Sequence, residues 1–375
     1  MANHESPAAK RTSQDALQLG PRKKPYAFYF YNLIDKIPTL YRRSTDPLVH
    51  HGRHFGRTIH ALCNVHALIN NGIIRMGERS EEPEDAFTPQ ERREHLVFLA
   101  LLKSVPGLEE RLMNTESEEE IHNLAALLQK GASSARSDDT KSLKSAIVDW
   151  LTPPGEPLIP PIARNNKTGR GYHHEVTGAL LCPTGVDWSD MDVKHRLAAG
   201  ELTVPGDQWP VFLYPSNEYD DSDPWKGLLR RVFSSKITFT FKHIFTSPSS
   251  VEKETKATRS GNARIHGMTA VTRASLAYTA TQARFALTSS SVFNRSDLIT
   301  DSERFYNSVL ELLEDPEESE EVDSLLTWWN RQVFPNYVAN SRPVSKNSVL
   351  AKIRAKRAAT KQAALANSNS NGAGA

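Results

Sequence analysis

Cysteine is scarce in this chain: Cys63 and Cys182 are the only two among 375 residues. Two thiols cannot build the disulfide framework of a small secreted domain, and they fit a reducing compartment. Long apolar runs are missing as well. The apolar-rich stretch Tyr26 to Ile34 has nine residues, and the longest run free of Asp, Glu, Lys and Arg, Thr58 to Ile74, has 17 with two histidines and three asparagines in it; both fall short of the ~20 mostly apolar residues that a membrane-spanning helix needs. Residues 1–24 hold no apolar core of a secretory signal. These absences predict a cytoplasmic or nuclear protein with no membrane contact. Signatures of catalysis are lacking too. There is no G-x-S-x-G elbow, no G-x-x-x-x-G-K-S/T phosphate loop, no G-x-G-x-x-G after a strand and no C-x-x-C pair. No cofactor is implied, and an enzyme is less expected than a binding protein. Neither an internal repeat nor an alternation of strand and helix patterns is visible.

Net charge is small, +2 from 46 Lys plus Arg and 44 Asp plus Glu, but the charges are unevenly placed. Residues 1–24 carry +3 and residues 340–375 carry +7, which leaves −8 on the body between them. The hydrophobic fraction of 38% is somewhat low, as expected of a folded body with disordered ends. The expected organisation is a basic disordered tail over 1–24, one mainly α-helical domain over 25–338, and a second basic disordered tail over 339–375. Tyr26 to Tyr31, with five aromatics in six residues, reads as an anchoring element at the start of the domain.

Apolar spacing and capping residues predict the helices. Asp46-Pro47 is a cap followed by a first-turn proline, and Leu48, Phe55, Ile59, Leu62, Val65 and Ile69 share a face up to a stop at Gly72. Gly52 and Gly56, four apart, mark a face where another backbone could approach closely. Thr88 with Glu91 forms a capping box for a helix whose apolar stripe is Leu96, Leu99 and Leu102. Glu118 to Gln129 is a helix closed by Lys130-Gly131, and Asp138 or Asp139 caps another that carries Leu143 and Ile147. Residues 151–224 hold ten of the 22 prolines, so long helices are excluded there. Within this loop-rich segment Ser189 with Asp192 caps a short helix ending at Gly200, and Trp209 to Tyr214 reads as a strand. Trp188, Trp209, Tyr172 and Tyr214 are expected to pack the segment onto the helices. Asp223-Pro224 reopens a helical pattern to Phe245, in which Ile237 to Phe241 fits helix and strand equally. Thr272 to Thr288 forms a helix with a stripe of Leu276, Ala280, Ala283 and Leu287. Thr300 with Glu303 caps the next, carrying Phe305, Tyr306, Val309, Leu310 and Leu313. Asp315-Pro316 opens the last, with Val322, Leu325, Trp329 and Val333 inward.

Three clusters carry candidate chemistry. Five of the thirteen histidines, His50, His51, His54, His60 and His66, fall within seventeen residues around Cys63. His50 and His54 share a helix face at a spacing that can chelate a divalent ion, although no acidic residue lies between Pro47 and Met76 to complete a site. His173, His174 and Glu175 join paired imidazoles to a carboxylate, the residue types of a metal-dependent hydrolase or nuclease; His173 and His174 are also candidate metal ligands. Lys253, Lys256, Arg259, Asn262, Arg264 and His266 lie in a positive island inside the acidic body. There the amides of a glycine-containing turn, flanked by arginine, suggest an anion or phosphate cradle. The basic tail from Lys346 to Lys361 has the composition of a nuclear-import or nonspecific nucleic-acid segment, or of a solubilising tail.

Several longer words form a resemblance. YHHEVTGALLCP at 172–183, DQWPVFLYP at 207–215, DPWKGLLR at 223–230, HIFTSPSS at 243–250, ATRSGNARIHGM at 257–268, DSERFYNSVLELLEDPEE at 301–318 and LLTWWNRQVFP at 325–335 resemble a family of mushroom-forming fungi known only as a domain of unknown function. The resemblance spans roughly residues 40–337. It implies one continuous domain and a helix at Ile237 to Phe241, and it brings no activity, cofactor or catalytic residue. The expected function is therefore a non-enzymatic intracellular binding protein that contacts nucleic acid or another polyanion through the basic loop and tail. The alternatives are a metal-dependent hydrolase at His173, His174 and Glu175, and a structural module for a protein partner.

Overall fold

The computed structural model describes residues 46–115, 117–230, 236–246, 261–293 and 301–334, with the single positions 349, 352, 353, 356 and 357. The aromatic segment at 26–31, the basic tail at 1–24 and most of the C-terminal tail lie outside the described residues. Among those described, the chain is a mainly α domain with twelve α-helices and no strand.

Helix α1, Pro47–Thr58, starts as its sequence predicts, with the Asp46 carboxylate accepting from the Leu48 N–H at 2.8 Å. It does not run on to Gly72. The chain turns after Thr58 and restarts as α2, Val65–Met76, where Asn64 accepts from the N–H groups of His66 and Ala67. Tertiary partners make this break tolerable: the Tyr306 hydroxyl accepts from the Ala61 N–H at 3.1 Å, and Gln129 accepts from the Val65 N–H at 3.0 Å. Backbone groups released from a helix thus find partners. Gly72 lies inside α2, where a Cβ would meet the Phe98 ring at 2.4 Å.

Helix α3, Pro89–Ser104, has its capping box, but its stripe differs from the one predicted. Phe98, Leu101 and Leu102 are buried, while Leu96 and Leu99 face outward. After α4, Leu108–Asn114, comes α5, Glu118–Leu151, a single helix of 34 residues, about 51 Å long at 1.5 Å per residue. The expected stop at Gly131 and cap at Asp138 or Asp139 are both absorbed into it. Gly131 serves packing: a Cβ there would lie 2.2 Å from the Val49 carbonyl oxygen, and a Cβ on Gly52 would lie 2.1 Å from that of Leu128. Gly56 meets Ala132 in the same seam. The α1–α5 contact is therefore backbone against backbone, as the glycine spacing in α1 suggests.

The proline-rich stretch contributes α6, Glu175–Leu181, and α7, Met191–Ala199, the latter capped by Asp190 and ended by Gly200 at φ 74°. Trp209 to Tyr214 is a 3-10 turn over Val211–Leu213, not a strand, because Pro210 and the buried Phe212 and Leu213 fold inward. The segment is tied to later helices: Trp209 Nε1 donates to Ser308 Oγ at 2.9 Å and Trp225 Nε1 to Glu318 at 2.7 Å. Asp223 to Arg230 forms turns, so Pro224 opens no helix; α8, Lys236–Phe241, is helical and runs into a wider π-turn, Lys242–Thr246. Then come α9, Asn262–Ile265; α10, Arg273–Leu287; α11, Ser302–Glu314; and α12, Ser319–Val333. Helix α10 is buried on every side from Ala274 to Leu287. The larger core cluster gathers around it, with Phe241, Tyr306, Leu310 and Trp329, while a smaller one joins Phe55, Leu68, Phe98 and Leu128.

Candidate functional site

The folded chain joins two of the clusters that its sequence keeps apart. Helix α9 is pinned to the π-turn by the Asn262 side-chain amide, which donates to the Ile244 carbonyl at 2.5 Å. The contact is close enough that a Cβ on Gly261 would sit 1.7 Å from the Thr246 carbonyl oxygen. This anchoring places His266, just past α9, against the histidine face of α1. Its ring stacks on His50 with centroids 4.1 Å apart and on His54 at 4.7 Å, with interplanar angles of 27° and 13°. His51 meets His50 edge-on at 5.9 Å.

Beneath this stack lies a buried ion pair. The Arg57 fork donates from Nε and Nη2 to the two oxygens of Asp139, each at 2.8 Å. Tyr278 adds its hydroxyl to Asp139 at 2.6 Å, Gln282 donates to Tyr278, and Thr140 donates to Gln282. Arg57 Nη1 has no hydrogen-bond partner among the described residues. Burial, and then the positive Arg57, hold the His54 imidazole down at about 4. Burial followed by the neighbouring imidazoles and Arg57 holds His266 at about 3. His50 is lowered by burial, by His51 and by Arg53. The rings are thus neutral at neutral pH, as stacking next to a guanidinium requires.

Stacking turns imidazole faces toward each other, whereas a shared ion needs ring nitrogens that converge on it. Among the described residues no group of three or more His, Cys, Asp or Glu side chains is placed to hold a metal ion. The glycine-containing turn differs from the expected phosphate cradle. The amides of Ile265, His266, Gly267 and Met268 all donate back to carbonyls of residues 261–264, and the Asn262 side chain is engaged with Ile244. What remains for an anion is Arg264, exposed and without an ion-pair partner among the described residues, two residues before His266 in the chain. Lys253, Lys256 and Arg259 lie outside the described residues. Lys352, Lys356 and Arg357 of the tail are helical and exposed.

His173, His174 and Glu175 do not converge. His174 Nδ1 accepts from the Val176 N–H at 3.1 Å as the cap of α6, which leaves Nε2 to donate to the Pro160 carbonyl at 2.8 Å. Both nitrogens are engaged, so the ring has no lone pair to offer. His173 is exposed. Glu175 turns to Lys194 and Trp188, at 2.9 and 2.8 Å, and its carboxyl is lowered mainly by the Lys194 hydrogen bond. The residues just before this motif cap a helix end instead. Buried Lys167 and Arg170 donate to the Phe285 and Ala286 carbonyls at the C-terminus of α10, at 2.5 and 2.9 Å. Burial brings the Lys167 amine down to about 7.

Sequence reasoning misses the Arg57–Asp139–Tyr278 network, since Asp139 imitates a helix cap and Arg57 carries no local signal of burial. It also misses the pairing of His266 with α1, which no spacing encodes.

Fold and site together define a mainly α domain whose polar chemistry is a stacked-imidazole face over a buried ion pair. The chain belongs to the family of unknown function DUF6698, whose model matches residues 130–334. The match is narrower than the expected 40–337: it takes in Asp139, Arg264, His266 and Tyr278, and leaves His50, His54 and Arg57 outside it. No curated protein and no solved structure matches the chain.

Proposed function

We propose that this is a non-enzymatic intracellular binding protein that contacts nucleic acid or another polyanion. Its contact residues are Arg264 of α9, Lys253, Lys256 and Arg259, and the basic residues of 340–375. The observation that carries this reading is the stacking of His266 on His50 and His54. It gathers imidazoles that gain charge when protonated, two residues along the chain from Arg264, an exposed arginine with no ion-pair partner among the described residues. Most other arginines of the described body face a carboxylate: Arg53 pairs with Asp138, Arg75 with Glu84, Arg111 with Glu120, Arg230 with Glu321 and Arg304 with Asp207. An intracellular setting accords with the scarcity of cysteine in the sequence, and no helix among the described residues is long and apolar enough to cross a membrane.

Fluorescence anisotropy of a labelled single-stranded oligonucleotide tests the proposal. Affinity is expected to fall steeply with salt. Arg264→Ala should weaken binding and lower the slope of log K against log salt by about 1, and deletion of 340–375 should lower it by several. Binding that ignores both changes would falsify this reading.

A further inference from the structure

Helix α3 leaves bare two of the three residues that its sequence marks for burial. Leu96 is 66% exposed and Leu99 42%. Leu96 borders a groove of about 780 Å³ between α3, the start of α10 and the α11–α12 corner, with Val97, Ala100 and Leu326 on its apolar side. Arg92, Arg93 and Arg273 line the same groove against a single carboxylate, Glu314. Arg93 is bound to Glu314 at 2.7 Å and Arg273 lies 3.8 Å from Asp323. Each nevertheless keeps one guanidinium nitrogen, Nη2 of Arg93 and Nε of Arg273, that is buried and has no hydrogen-bond partner among the described residues. The first turn of α10, Thr272 to Ala274, opens on the groove as well and adds the positive end of a 15-residue helix.

The geometry points to a binding site for a free anionic amphiphile: one apolar chain over Leu96, Val97 and Leu326, with a carboxylate head held by Arg93 and Arg273. The volume lies within the ~300–1,000 Å³ of small-molecule sites, which pair apolar walls with a few polar groups. A docked peptide helix needs an apolar stripe over several turns, and here Leu96 alone is largely exposed at the groove. A second copy packed through the same face would set its arginines against these. The chain's own basic tail is excluded by the same repulsion.

Isothermal titration of the full chain with dodecanoate, below its micelle concentration, tests the site. One saturable event per chain is expected, with dodecyltrimethylammonium binding at least ~10-fold more weakly because its head carries the wrong charge. Leu96→Asp and Arg273→Glu should each weaken dodecanoate about tenfold, as loss of ~1.4 kcal/mol does. Leu99→Asp, on the same helix but outside the groove, should leave it unchanged, with matched melting curves excluding misfolding. Equal binding of the cationic amphiphile, or wild-type affinity in both groove variants, overturns the assignment. So does binding only to anionic vesicles, or only to an acidic amphipathic peptide, with none to monomeric dodecanoate. Deletion of 340–375 should not alter the titration, so this site and the polyanion face stand or fall separately.

Discussion

Two histidine-bearing regions of this domain behave in opposite ways. His173, His174 and Glu175 are consecutive in the chain, yet each turns to a different partner: solvent, the α6 cap with the Pro160 carbonyl, and Lys194 with Trp188. His50, His54 and His266 come from distant segments and meet ring to ring. In the first region the local backbone decides, because a short helix needs a cap and His174 supplies the acceptor. In the second the decision is tertiary. It depends on the α1–α5 seam, on the Arg57–Asp139 pair within that seam, and on α9 being pinned to the π-turn. Sequence proximity therefore marks a structural motif here, while the composite surface is assembled from remote parts.

The sharpest way to break the comparison is to remove the support under the assembled region. Arg57 is 2% exposed, and Asp139→Ala would leave its charge buried without a partner and strip the Tyr278 hydroxyl of its acceptor. Loss of one member of a buried pair costs about 3–5 kcal/mol. Urea denaturation should show a loss of that size, with a double Arg57→Met, Asp139→Leu variant recovering most of it. If Asp139→Ala were neutral, the pair would not be what holds α1 against α5.

The adjacent pair should separate by a smaller margin. His174→Ala removes the α6 cap and the donor to Pro160, and is expected to cost about 1–3 kcal/mol. His173→Ala, at an exposed position without such a feature, should stay within about 0.5 kcal/mol. Thermal melts of the two single variants decide this. Equal costs would mean that the two neighbours share one role after all.

The same contrast explains how much was legible in advance. Gly52 and Gly56 at a four-residue spacing implied close backbone approach, because only small residues permit it, and both contact α5. Thr88 with Glu91 and Asp46 with Pro47 acted as written, since a cap answers a local need. Gly131 and Asp139 misled for the converse reason. Each looks like a helix terminator, but in α5 the glycine admits the Val49 carbonyl and the aspartate binds Arg57. Helix α10 presents one apolar stripe among Ala, Ser and Thr residues, and the fold buries its whole circumference. Its hydroxyls can be buried because Thr279 and Thr281 donate to carbonyls one turn back. Of the candidate anion-cradle residues, His266 meets His50 and His54 of α1 through a contact that only the fold creates, while Asn262 binds the Ile244 carbonyl instead.

The gentlest test acts on the assembled region through pH. His54 and His266 lie at about 4 and about 3 in the fold, against 6.5 for an unperturbed imidazole. The groups facing them are His50 and His51 on α1, Arg57 in its pair with Asp139, and Arg53 in its pair with Asp138. Because the folded values are depressed, the unfolded chain takes up protons first as pH falls. Stability contributed by neutral His54 and His266 is complete above about pH 6.5 and is lost progressively from there toward 4 and 3. Between pH 7 and 5, allowing for solvent screening at half-buried sites, the two together should account for about 1–2 kcal/mol. The urea midpoint should fall over that window in the native chain, and His54→Asn with His266→Asn should flatten the slope. A bound polyanion works the other way: it favours the protonated rings, so oligonucleotide affinity should rise as the free protein becomes less stable. Opposite pH trends for stability and binding, both reduced in the double variant, identify the stacked imidazoles as the shared cause; parallel trends would separate the stack from the binding face.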